Sequence, residues 1–273
     1  PADFGVLGSP PTHPELLDWL AREFVESGWS VKHIHRLILN SATWRQTTSA
    51  DRNLMAADPD NELYGRFNLQ RLDAEAVRDA VLRISGKLND NLYGEPVPVM
   101  ADRVGRWVLG IENLNAGRPG KEIDLEGVEF RRSIYVQVRR SRPLAVLDTF
   151  DWPRMAPNCA QRTPSTVTPQ SLLLMNSDFV IDFSRYFADR IAADAGDDPT
   201  AQIRRAWQLA FSRPADESEV QSARAFLEDQ TALLTERLQQ EKDKKKETRT
   251  AAQEALASLC QMLVSSNEFL YIE

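Results

Sequence analysis

A chain of 273 residues with 42% hydrophobic and 27% charged residues has the composition of a globular protein long enough to bury a sizeable core. Its formal net charge of −7 excludes a general nucleic-acid binder, which needs a surplus of exposed Lys and Arg, although a local basic patch fits inside an acidic chain. No apolar run approaches the roughly 20 residues of a membrane-spanning helix, and twelve Gly with fifteen Pro are too few for a collagen-like or low-complexity chain.

The first eleven residues, rich in Gly and Pro, read as an extended lead-in. Thr12-His13-Pro14-Glu15 has the pattern of a capping box: Thr12 is placed to cap and Glu15 to reach back. Leu16, Leu17, Leu20 and Phe24 then share one helical face, and Gly28 ends the helix. Ser30 caps a second helix with a stripe of Val31, Ile34, Leu37 and Ile38, so the spacing predicts a helical hairpin. Residues 43–71 read as mostly irregular, with a turn at Asp58-Pro59-Asp60-Asn61. Asp73 caps a helix carrying Ala76, Val77, Ala80, Val81 and Ile84, closed by Gly86.

Residues 87–130 are the least periodic stretch, broken by Pro and Gly. Ser133 to Val138 alternates and is β-branched, which predicts a strand pairing with a short one near Val97–Met100 or Trp107–Leu109. Arg142 to Thr168 is a connector broken by four prolines, and Thr168-Pro169 opens another helix, with Leu172, Leu173 and Met175, then Phe179, Val180 and Phe183. Residues 200–212 place Ile203, Trp207 and Phe211 inward. Asp216 with Glu219 caps a helix through Val220, Ala223, Phe226 and Leu227. Positions 236–250 are almost entirely polar, the pattern of a solvated extension of a helical hairpin, with a basic tip at Lys242 and Lys244 to Lys246 as the other reading. The last helix uses Ala255, Leu256, Leu259, Cys260, Leu263 and Val264.

These elements predict a mainly α fold with a small antiparallel β insert, an α+β chain with helical hairpins at both ends. Three parts are expected: a helical part over 1–86, a mixed β/loop part over 87–168 and a helical part over 169–273, packed as one compact body. The chain opens on Pro1 rather than an initiator Met, so the expectation is a fragment of a larger protein.

Several long stretches carry a family resemblance: DFGVLGSPPTHPELLDWLA, RLDAEAVRDAVLRISG, RRSIYVQVRRSRPLAVLDTFDWP, NCAQRTPSTVTPQSLLLMNSDFV, AWQLAFSRPADESEV and LCQMLVSSNEFLYIE. Together they resemble the C-terminal domain of unknown function 1553 found in large planctomycete proteins that also carry cytochrome-c-like modules, and the resemblance covers nearly the whole chain. That family normally begins upstream of the DFG stretch, with a helical segment rich in Asn and Arg that is lacking here. The resemblance implies a periplasmic or extracellular setting and, as partner, an upstream cytochrome-c-like module of the same protein. Haem is expected only there. No CxxCH occurs here, so no cofactor is expected within this chain. The family's activity is not established, and the resemblance implies no reaction.

The most unusual segment runs from Arg131 to Asn176. Arg131, Arg132, Arg139, Arg140 and Arg142 precede a loop with Asp148, Asp151, Trp152, Cys159 and Arg162. On a strand Arg132 and Arg140 share a face and could offer guanidinium groups to an anion. The competing structural reading pairs Arg139, Arg140 and Arg142 with Asp148 and Asp151 to pin the loop. Trp152, between Asp151 and Pro153, is the best sugar-stacking candidate; the other tryptophans read as core packing. The ligand-binding candidates are therefore Arg132, Arg140, Trp152 and Arg162, and the weak catalytic candidates Asp148, Asp151 and Cys159. Arg162 near Cys159 would lower its thiol pKa, but no His lies nearby in sequence to serve as base. Ser165 and Thr166 lack a GxSxG elbow and read as turn and cap residues.

His33 and His35 are two apart and diverge on a helix, so no metal site is expected. Cys159 and Cys260 are either two buried free thiols, the simpler reading, or a disulfide. Two functional expectations follow. One is a non-catalytic binding or assembly module for an anionic or carbohydrate ligand or a partner domain, with polysaccharide among the partners, no nucleic acid and no membrane span. The alternative is a hydrolytic or redox-coupled enzyme acting on polysaccharide of the cell envelope or outside the cell.

Overall fold

The computed structural model describes residues 5–49, 52–102, 105–111, 125–139, 143–153, 162–240 and 249–272. The chain divides into two units, Pro1–Arg71 with Tyr271–Glu273, and Leu72–Leu270. Mainly helical structure with two small antiparallel strand pairs bears out the expected fold class.

The smaller unit opens with α1 (Pro14–Glu26) and α2 (Val31–Asn40). Gly28 and Trp29 both take positive φ, +73° and +62°, and turn the chain between them. Ser30 Oγ accepts the His33 amide at 3.3 Å, the expected cap, while His33 Nε2 meets Glu23 Oε1 at 2.7 Å across the hairpin. The cap of α1 differs from expectation. With Pro14 in the first turn, the N-cap position falls on His13, one residue past Thr12, and Thr12 Oγ1 meets His13 Nδ1 at 3.0 Å instead. A short α3 (Arg52–Ala57) follows. The predicted turn is there: Asp58 is buried and its carboxylate accepts the amides of Glu62 and Leu63, both at 2.8 Å. β1 (Gln70–Arg71) pairs antiparallel with β4 (Tyr271–Ile272) near the other end of the chain.

The larger unit holds every buried apolar residue of the described chain, from Ala74 to Leu270. Its body is a set of packed helices: α6 (Thr168–Asn176), α7 (Asp178–Ala195), α8 (Pro199–Phe211), α9 (Glu217–Gln240), α10 (Ala251–Val264) and α11 (Asn267–Leu270). Phe187 and Ile191 of α7, Ile203 of α8 and Leu259 of α10 are all inaccessible. Asp216 and Glu219 form the expected capping box in full: each side chain accepts the other's amide at 2.8 Å. Thr250 and Gln253 do the same before α10, at 3.2 and 2.9 Å. The caps of α6 differ: Val167 holds the N-cap position rather than Thr168, and its amide donates to Gln170 Oε1 at 3.4 Å. Cys260 is a buried free thiol, its pKa pushed up by burial, whereas Cys159 lies outside the described residues. Residues 241–248, with the expected basic tip, also lie outside them.

Before these helices come α4 (Ala74–Ile84), β2 (Val99–Ala101), β3 (Trp107–Leu109) and α5 (Ala145–Thr149). The strand expected over 133–138 does not form. β2 and β3 pair with each other antiparallel, Met100 opposite Val108, while Ser133–Tyr135 is a 3₁₀ turn. Single parallel bridges, Asn89 to Arg131 and Val97 to Val136, are all the pairing that this segment makes among the described residues. The reason is competition for backbone groups. The Ser133 amide donates to Asp79 Oδ1 at 2.7 Å and the Arg131 carbonyl accepts from Arg78 Nη1 at 2.9 Å, so α4 side chains occupy groups that a ladder would need.

Phe187 lies wholly inside the larger unit, so removing its ring leaves a cavity among helices that cannot collapse freely. Phe187→Ala is expected to cost about 3–5 kcal/mol of stability, measured as a lower urea midpoint with an unchanged slope.

Candidate functional site

Helix α4 carries Glu75, Arg78 and Asp79, spaced i, i+3 and i+4, so the three charges share one side of the helix. Arg78 interrupts the apolar stripe of Ala74, Val77 and Val81 and is itself buried, 1% exposed. Its guanidinium donates to the Glu129 carbonyl at 2.6 Å, to the Arg131 carbonyl at 2.9 Å and to Ser133 Oγ at 3.2 Å. Burial lowers its pKa to about 10, with Asp79 acting in the opposite direction, so it stays charged at neutral pH. Asp79 Oδ1, at 3.8 Å, is the near counter-charge, and it also accepts Ser133 N and Oγ, both at 2.7 Å.

A second buried guanidinium lies next to the first. Arg131 donates to the carbonyls of Asn91 at 3.3 Å, Glu95 at 2.8 Å and Tyr93, and its plane lies over the Tyr135 ring, 3.9 Å from the centroid. Two arginines therefore tie three irregular stretches, 91–95, 129–131 and 133–135, to α4. The carbonyl of buried Arg131 would otherwise lack a side-chain partner in the interior, whereas residues 91–95 are exposed and Arg131 fixes their course.

The expected site residues fall on this frame. Arg132 is half exposed and meets Asp79 Oδ2 at 3.4 Å. Arg162 forms a forked pair with Glu75, at 2.6 and 2.7 Å, and approaches Asp73 at 3.3 Å. Arg132 and Arg162, distant in sequence, thus converge on neighbouring turns of α4, each on a carboxylate. Arg139 meets Gln137 Oε1 at 3.4 Å and lies 5.3 Å from the Trp107 ring centroid. Arg140 and Cys159 lie outside the described residues.

Asp148 is exposed on α5. Asp151 takes φ +63° and accepts from Ser165 N at 2.7 Å, Ser165 Oγ at 2.8 Å and Gln170 Nε2 at 3.5 Å. These contacts staple the proline-rich loop to the start of α6. Trp152 is half-buried, its amide closing the end of α5 on the Leu147 carbonyl at 3.1 Å. Among the described residues, no group of three or more His, Cys, Asp or Glu side chains is placed to hold a metal ion, and no helix is long and apolar enough to cross a membrane.

Next to α4 lies a cavity of about 580 Å³ that the sequence reading missed. Its apolar wall comes from Trp107 and Leu109 of β3, Val146 of α5, Leu172 and Leu173 of α6, and Phe179 of α7; Arg78 also reaches it. The polar lining residues that are exposed, Arg106, Asn176 and Asp178, give it a hydrophilic margin. Arg106 is held by Asp102 at 2.7 Å and stands 3.7 Å from Asp178. The sequence does contain a trace of this site. Thr168–Asn176 has apolar side chains around more of its circumference than one packed face requires, leaving Leu172 and Met175 exposed. Nothing in the sequence places β3 opposite them.

The family described as PSD1, a protein of unknown function (DUF1553), matches residues 1–227. No curated protein and no solved structure matches the chain.

Two expectations follow from the ion pairs. Asp79→Ala removes the near counter-charge of a buried arginine and should cost about 3–5 kcal/mol, whereas Arg132→Ala, losing a half-exposed pair, should cost about 1 kcal/mol or less; chemical denaturation of both variants checks this. Burial, the largest single influence, would raise the Glu75 pKa, but the hydrogen bonds from Arg162, a backbone hydrogen bond and the guanidinium charge together outweigh it and hold the carboxyl below its ordinary 4.5. The stabilisation from this pair is therefore complete above that pH and is lost as pH falls through the depressed value. Arg162→Ala should flatten the loss of stability below pH 4.5, read from melting temperatures across an acid series.

Proposed function

The chain belongs to the PSD1 (DUF1553) family, and on that footing we propose that it is a ligand-binding module whose principal site is the apolar cavity between β3, α5, α6 and the start of α7. The observation that carries this reading is the contrast within one cavity: apolar walls inside, Arg106, Asn176 and Asp178 at the exposed margin. Its volume of about 580 Å³ suits a small organic molecule, and such a site orients a ligand by a few polar groups while the walls supply most of the affinity. The expected ligand is amphipathic, with an apolar body along Trp107, Leu173 and Phe179 and a polar end near Arg106.

The arginines of the 131–162 stretch support binding at this cavity rather than on their own surface. Arg131, Arg132 and Arg162 already hold carbonyls or carboxylates of the same chain, and an incoming anion would have to displace those partners. Asp151 likewise has its lone pairs engaged by Ser165 and Gln170, which fits a loop staple better than a general base. The resemblance to proteins with cytochrome-c-like modules supports placing this binding module outside the cytoplasm, beside such a module.

A neutral fluorescent probe, N-phenyl-1-naphthylamine, tests the reading. Its emission should rise on mixing with the protein, and Val146→Phe together with Leu173→Phe, which fill the cavity, should abolish the rise while leaving the far-ultraviolet circular dichroism unchanged. Equal emission with the folded filled variant would sink the proposal.

A further inference from the structure

A second cavity, of about 670 Å³, opens where the end of α4 meets the middle of α7. Its lining is polar and cationic: Arg83, Lys87 and Arg190, with Tyr186 and Asp189. Among the described residues, the carboxylate in that lining, Asp189, has both oxygens engaged by Arg249, at 2.7 and 3.0 Å. Arg83 is paired with Asp90 at 3.3 Å, so the positive charge that the cavity can offer comes from Lys87 and Arg190.

Two of the cations are held in position with hydrogen-bonding capacity left over. Lys87 is half-buried, and its ammonium sits over the Tyr186 ring, 4.2 Å from the centroid, with no carboxylate partner among the described residues. Arg190 Nη1 donates to the carbonyls of Arg83 and Ile84, both at 2.9 Å, which fixes the guanidinium across the end of α4. Residue 86 is glycine at φ +73°, and a Cβ there would stand 3.3 Å from Arg190 Cδ, a tight contact that the side chain would have to relieve by a small shift. These bonds use one corner of the guanidinium and leave the Nε–Nη2 edge, the edge that matches two oxygens of an oxyanion. Asp194 Oδ2, 3.9 Å from Arg190 Nε, is a long-range counter-ion without a hydrogen bond to it; that oxygen accepts from Arg205 at 2.7 Å, so an oxyanion on this edge competes with only a loose ion pair.

The end of a helix ordinarily repels anions, because its unpaired carbonyls carry partial negative charge. Here Arg190 donates to two of the last carbonyls of α4, those of Arg83 and Ile84, which offsets the repulsion at the place where an anion would sit.

We propose that this cavity is an oxyanion site, taking the carboxylate, sulfate or phosphate group of a small ligand between Lys87 Nζ and the Nε–Nη2 edge of Arg190, with the body of the ligand along Tyr186 and Leu88. It is separate from the apolar cavity of the proposed function and stands or falls independently.

The probes are sodium phosphate, sodium sulfate and sodium acetate, each added to the whole chain at ionic strength held constant with sodium chloride. At least one should raise the melting temperature progressively with concentration, as a ligand of the native state does. A response to phosphate and sulfate alone assigns a tetrahedral group, and one to acetate alone a carboxylate; either supports the site. Lys87→Gln should weaken the response at least fivefold and Lys87→Glu should abolish it, with unchanged circular dichroism in both. Arg224→Ala, an exposed residue of α9, is the control and should respond as the unmodified chain does. No response beyond that to chloride, or an undiminished response in folded Lys87→Glu, overturns the proposal.

Discussion

The buried guanidinium of Arg78 sets the arrangement of the middle of this chain. A cation with 1% exposure is costly to hold in an interior, and Arg78 is tolerated because three oxygens of the 129–133 stretch and the carboxylate of Asp79 surround it. The dependence runs both ways. Without α4, residues 125–136 have no regular element to complete their hydrogen bonds, and without those residues α4 would bury an unsatisfied charge. Arg131 repeats the device one step outward, binding the carbonyls of residues 91–95. An aperiodic stretch thereby acquires fixed geometry from two side chains rather than from a ladder.

Helices were legible in the sequence where burial and capping act locally. The stripes of α8 and α10, the cap at Ser30 and the Asp216–Glu219 box follow from spacing alone, and the structure contains each of them; α2 forms as a helix, but its stripe of Val31, Ile34, Leu37 and Ile38 buries no residue. The 133–138 segment was misread for a physical reason. Its alternation of β-branched and polar residues satisfies the strand template, but Asp79 takes the Ser133 amide, Arg78 takes the carbonyl of Arg131 just before it, and Ser133–Tyr135 closes as a 3₁₀ turn, leaving only the bridge at Val136 among the described residues. A usable signal lay in α4: an arginine at an apolar-stripe position, next to an aspartate, marks a charge that must find oxygens elsewhere in the chain. The partners of Arg132 and Arg162 were missed on the same account, since Asp79 and Glu75 belong to a helix distant in sequence rather than to the nearby loop.

The two cavities differ in what their arginines have left to give. Around the apolar cavity, Arg78 is enclosed by its own chain and Arg106 is drawn to Asp102 and Asp178, so polar recognition is confined to the margin and the walls dominate. In the second cavity, Arg190 spends Nη1 on carbonyls with Asp194 a loose counter-ion, and Lys87 has no carboxylate partner among the described residues, so cationic capacity remains. Charge count alone would not separate these cases, because the 131–162 stretch is far richer in arginine than the end of α4. What separates them is access: Arg78 is 1% exposed, whereas the Arg190 side chain is 32% exposed and lines an open cavity.

The smaller unit poses a different energetic problem. Neither α1 nor α2 buries a residue, although Leu20, Phe24, Ile34 and Leu37 are half-covered and Leu17, Trp19, Val31 and Leu39 stay exposed. Two short helices joined by a tight turn gain little from propensity alone and draw most of their stability from an apolar face packed against something else. The unit offsets this partly with polar order: Asp58 and Asn61 are buried, and Asn61 donates to the Arg66 carbonyl at 2.8 Å and to Asn68 Oδ1 at 3.0 Å. A loop fixed by such bonds holds its shape through direction rather than through area. Its stability should therefore depend on a few irreplaceable amide and carboxylate groups, whereas the larger unit spreads its stability over many interchangeable methylenes.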